Sequence, residues 1–118
     1  MRKRFDIVNQ RLGARLAAAH VADAPLSRIV GLLGRRALEP GTGLLIVPCR
    51  AIHTCFMRFA IDVAFLDRDG CVVRAVPDVR PFRVTSGGRG AWSALELPSG
   101  TLEATGTQPG DRLRYEPR

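Results

Sequence analysis

IDVAFLDRDGCVVRAV, residues 61–76, places two apolar, β-branched runs on either side of Asp67-Arg68-Asp69-Gly70. The first run, IDVAFLD (61–67), is apolar at odd and even positions alike, which marks a strand covered on both faces. Asp67 to Gly70 has hairpin-turn chemistry. Glycine takes the positive φ that such turns demand, and aspartate side chains accept nearby backbone N–H groups. CVVRAV (71–76) is therefore the returning partner. Upstream, IHTCFMRF (52–59) has the same strand character. Residues 52–67 are expected to lie extended in the heart of a closed sheet, their polar members emerging at its rim.

Outward from this hairpin, turn signals cut the chain into short pieces, as in β-rich domains. FDIVN (5–9) reads as a strand, Arg11-Leu12-Gly13 as a turn, and LLIV (44–47) as a buried strand after EPGTG (39–43). ARLAAAHVAD (14–23) is ambiguous: its alanines favour helix, whereas its place after a turn favours a return strand. Leu26, Ile29, Val30 and Leu33 fall on one helical face, so SRIVGLLGR (27–35) is read as a helix. Pro77 to Gly90 reads as a long exposed loop, WSALEL (92–97) as an alternating strand, PSGTLEATG (98–106) as a helical turn, and DRLRY (111–115) as a last strand. The expected fold is all-β (β-rich): one domain over residues 1–118, a small barrel or jelly-roll-like sandwich of about seven strands. A short helix near 26–35 and a short helical turn near 98–105 accompany it.

The chain has 118 residues, 46% of them apolar, the size and composition of one domain with a real core. Its three cysteines are odd in number and too few for a disulfide framework, so a reducing, cytoplasmic location is expected. No stretch approaches the roughly twenty apolar residues needed to span a bilayer. MRKRF starts like a secretory signal, but Asp6, Asn9, Gln10, Arg11 and Arg15 interrupt the apolar centre such a signal requires. The net charge of +7 invites a nucleic-acid reading. The basic residues, all arginine except Lys3, are instead scattered from Arg2 to Arg118, with only MRKR and Arg35-Arg36 as short runs, which argues against nucleic acid as partner.

GLLGR (31–35), LEPGTGLLI (38–46), PCRAIHTCFMRFAIDVAFLDRDGCVV (48–73), ALELPSGTLEATG (94–106) and PGDRL (109–113) occur in an order that resembles the bacterial and archaeal "domain of unknown function 192" proteins. The resemblance spans about residues 25–115. It implies a compact β-barrel or jelly-roll-like fold with one helix packed outside, and it tips residues 14–23 towards strand. It implies no catalytic residue. Ala60 stands where such proteins usually carry proline, and Cys55 where they usually carry an aromatic or large apolar residue.

Chemistry concentrates between Cys49 and Asp62. Cys49, His53 and Cys55 could converge on a metal only with Cys71 or distant His20 to complete four ligands, so neither metal nor cofactor is expected. Cys49 has a cationic neighbour in Arg50, but no oxyanion-hole motif accompanies it. The candidate binding patch is Arg50, His53, Thr54, Arg58, Asp62 and Glu96, with the Pro77–Gly90 loop and its Arg80, Arg83 and Arg89 alongside. Asp62, set between Ile61 and Val63, is expected to clasp backbone N–H groups or an arginine, because a buried carboxylate must be paired. The functional expectation is a binding or accessory module for a small anionic ligand or partner protein. An enzyme would instead need His53, Asp62 and Arg58 to converge on a common void.

Overall fold

The computed structural model describes residues 4–22, 38–54 and 57–117. The expected β-rich single domain is a strongly curled half-barrel with one short helix among the described residues. The helix read from residues 26–35 lies outside them, as does Cys55.

At the centre is β5 (Ile61–Leu66), buried at every position. It pairs antiparallel with β6 (Val72–Val79) through the Asp67–Gly70 turn, and on its other side with β8 (Ser93–Pro98). Asp67 Oδ1 accepts the N–H groups of Asp69 and Cys71, each at 2.9 Å, and Gly70 has φ +86. With β1 (Arg4–Asn9), β2 (Ala14–Ala22), β3 (Thr42–Ile46) and β9 (Leu113–Pro117) the sheet runs β6-β5-β8-β3-β2-β1-β9. Among the described residues only the β2–β3 pairing is parallel.

The sheet curls until its two edges touch. Cys71 bridges to Arg112, and Val72 N donates to Asp111 O at 2.8 Å, Gly110 N to Val72 O at 2.8 Å, and Leu113 N to Gly70 O at 2.9 Å. Inside the curl lie Ile7, Leu16, Ala17, Leu45, Leu66, Leu95 and Leu97, closed by Leu102 of helix α1 (Thr101–Thr105). Small side chains suit the crowded concave face of a curled sheet, which explains why alanine-rich β2 is a strand despite its helix propensity.

The opposite face of β3, β5 and β8 carries a second core of Leu44, Ile46, Ile61, Val63, Phe65 and Ala94. A separate two-stranded ribbon, β4 (Ala51–His53) with β7 (Val84–Ser86), lies over it and contributes Ile52. The fit is close: a Cβ added to Gly87 would sit 2.5 Å from Phe65 and 2.6 Å from Ala91.

Two expectations are corrected. The strand expected over 52–59 ends at His53, and it belongs to the covering ribbon rather than to the main sheet. The expected 77–90 loop is partly regular, since β6 runs through Pro77 to Val79 and β7 follows. Pro77 is tolerated because the pairing of Ile61 with Val79 and of Val63 with Val76 leaves a bulge opposite Asp62.

Candidate functional site

Asp62 explains that bulge. It pairs across the sheet with Leu97, on the concave face, and is fully buried. Pro77 has no N–H to offer, and the next N–H, that of Asp78 at φ +50, donates to Asp62 Oδ1 at 2.9 Å. Oδ2 accepts the N–H of Leu102 at 2.8 Å in the first turn of α1, whose leading glycine, Gly100, supplies no side-chain cap. Both oxygens are thus committed to backbone donors. Asp62 clasps the backbone, as its burial between apolar neighbours requires.

Glu96 points the other way. It pairs with Leu44 and with Val63, whose side chains belong to the convex-face core, and it is 5% exposed. Its carboxyl is pushed up to about 7 by burial, with no hydrogen bond or neighbouring charge acting on it among the described residues. The two carboxyl groups are adjacent in register yet separated by the sheet itself. They do not form an acid–base pair.

Thr54 is the organising residue of the covering layer. It follows β4 directly and is fully buried. Its hydroxyl donates to Arg80 O at 2.5 Å and accepts from Arg83 N at 2.9 Å. Its own N–H donates to Arg83 O at 2.8 Å, and its carbonyl accepts from Phe82 N at 3.1 Å and Met57 N at 3.2 Å. One threonine therefore bonds to the backbone of Arg80 and Arg83 and to that of Met57 beside Arg58, and all three arginines are exposed. Arg80 Nε lies 3.8 Å from Asp78 Oδ2, the one carboxylate paired to this group among the described residues.

The same clamp presents apolar surface. Phe82 sits at φ +62, a conformation bulky residues rarely adopt, and is 65% exposed. Val84 is 76% exposed and lies directly opposite His53 across the ribbon. Ile52 and Gly87 face the core, so His53 and Val84 look outward. Arg50 is exposed at the far end of the ribbon, its carbonyl accepting Gly87 N at 2.8 Å. Cys49 Sγ donates to Ala51 O at 3.1 Å.

Of the residues singled out from sequence, Arg50, His53, Thr54 and Arg58 belong to this covering layer together with Arg80 and Arg83. Asp62 lies beyond the main sheet from His53, and Glu96 lies within the core between them. His53, Asp62 and Arg58 do not share a void. What sequence reading missed is Phe82 and Val84. The available signal was an aromatic residue flanked by proline and arginine in a turn, Pro81-Phe82-Arg83.

Comparison with known proteins agrees with this architecture. A UPF0127 protein of Pyrococcus furiosus is 34% identical over 97 residues, covering 80% of this chain and 83% of that protein. A crystal structure from Sinorhizobium meliloti 1021, described as a "putative transcription regulator", superposes with TM-score 0.84 at 24% identity, covering 98% of this chain and 94% of that one. A protein of unknown function from Novosphingobium aromaticivorans DSM 12444 does so with TM-score 0.81 at 17% identity, covering 96% and 84%. At such identities the two structures speak for the fold alone. The family model DUF192 (Uncharacterized ACR, COG1430) matches residues 7–115, and the chain belongs to that family.

Proposed function

We propose that this domain is a binding or accessory module that engages an anionic group, on a small ligand or a partner protein, through the covering layer built on Thr54. The observation that carries this reading is the backbone network of one buried threonine, which ties the segment bearing Arg80 and Arg83 to the segment that leads into Arg58. Clustering like charges costs free energy unless something uses them. Guanidinium groups suit carboxylates in particular, because their forked donors match both oxygens. An enzymatic role for His53, Asp62 and Arg58 loses its geometric support, since Asp62 is spent on Asp78 and Leu102.

Fluorescein-labelled polyglutamate is a direct probe. The native chain is expected to bind it with an affinity that falls as salt rises, and the R58Q/R80Q/R83Q variant to bind about tenfold more weakly or worse, each tenfold being about 1.4 kcal/mol. Equal binding by native and variant chains sinks the proposal.

A further inference from the structure

Phe82 and Val84 say more about what those arginines meet. An aromatic side chain 65% exposed and a valine 76% exposed stand within a few residues of Arg80 and Arg83, on a turn held by a fully buried threonine. Apolar side chains in such positions gain nothing from solvent, and Phe82 also holds φ +62, at an energetic disadvantage that four hydrogen bonds from Thr54 to its neighbourhood maintain. Exposed aromatics ringed by arginine are the composition of protein–protein anchors, in which the aromatic enters a recess and the guanidinium groups pair around it.

We infer that the Phe82–Val84 turn is a preorganised anchor for a partner protein whose contact surface presents carboxylates around an apolar recess. The inference rests on the anion-binding reading above and narrows it to a macromolecular class. One feature favours a protein over an anionic bilayer. The anchor is held rigidly by Thr54, which lowers the ordering cost of docking into a shaped recess and offers no advantage at a fluid interface.

The test compares two fluorescein-labelled acidic peptides of equal charge and length, one with Leu-Phe at its centre and one with Ser-Ser. Phosphatidylcholine vesicles containing phosphatidylglycerol are run in parallel. The native chain is expected to bind the Leu-Phe peptide about tenfold tighter than the Ser-Ser peptide, a gap of about 1.4 kcal/mol. Phe82→Asn, whose side chain tolerates the left-handed backbone, is expected to erase the preference, so that it binds the two peptides alike. V84S is expected to reduce the preference in the same direction. Equal affinity for the two peptides overturns the inference even where polyglutamate still binds, and Phe82-dependent vesicle binding without peptide preference replaces the protein with a membrane. Loss of polyglutamate binding in the native chain instead removes the underlying anion reading.

Discussion

Asp62 Oδ2 accepts the N–H of Leu102 at 2.8 Å, so a carboxylate on the central strand caps the first turn of α1 while its other oxygen holds the β6 bulge. Strand, bulge and helix are joined through one buried side chain.

Asp62→Ala leaves the buried N–H of Leu102 and the partly buried N–H of Asp78 without acceptors. Each such loss costs about 1–3 kcal/mol, so a combined destabilisation of roughly 2–5 kcal/mol is expected by urea denaturation. Asp62→Asn keeps one acceptor oxygen and is expected to cost about half as much. A change below about 0.5 kcal/mol for the alanine variant contradicts the clamp.

Glu96 makes stability fall with rising pH. Its carboxyl ionises freely at about 4.5 in the unfolded chain but at about 7 in the fold, so between these values the folded chain alone keeps the proton. Stability from this group is complete below pH 4.5, declines through the window and levels off above pH 7, by about 3 kcal/mol in all. E96Q is expected to lack that decline, read as the difference between native and variant chains at pH 5 and pH 8. Parallel curves for the two chains would show that Glu96 ionises as readily in the fold as outside it.

Asp111 acts with the opposite sign. It is 4% exposed and accepts from Arg11 Nε at 2.6 Å, Arg11 Nη2 at 3.0 Å, Asn9 Nδ2 at 2.9 Å and Gln108 N at 3.0 Å. Arg11 above all, then Asn9 and Gln108, hold its carboxyl well below the usual aspartate range. The stability it supplies is present above its ordinary value of 3.8 and is lost as pH falls below that towards its value in the fold. Asp111→Asn is expected to lower stability at neutral pH and to flatten the acid limb of the curve. An acid limb as steep as that of the native chain would remove Asp111 from the account.

Phe82→Asn is expected to raise the unfolding free energy by up to about 1 kcal/mol, because asparagine accepts the left-handed backbone that phenylalanine resists. A stabilising substitution that weakens peptide binding is the pattern of a residue kept for contact rather than for folding. Marked destabilisation instead would assign Phe82 to the core of the covering layer.

The β5–β6 hairpin was legible because its signals are local: a doubly apolar run, an Asp-rich turn and a glycine at φ +86. The burial of Asp62 and its backbone role followed from its apolar neighbours. Its relation to Glu96 did not, since parity within each strand says nothing about register between them, and a shift of one residue would put both on the same face. Thr54 was legible as a candidate, but its role was not: its hydroxyl partners lie 26 and 29 residues along the chain. The strand expected over 52–59 failed because an apolar run reads alike in a central sheet and in a ribbon laid across it.

The central claim is that Thr54 assembles the binding surface without touching what binds there. Polyglutamate affinity measured for T54V and T54S, well below their unfolding temperatures, tests it most directly. Valine keeps the shape and removes the hydroxyl, so T54V is expected to bind about tenfold more weakly while T54S stays close to the native chain. Native affinity in T54V, with the arginines still required, would contradict the account.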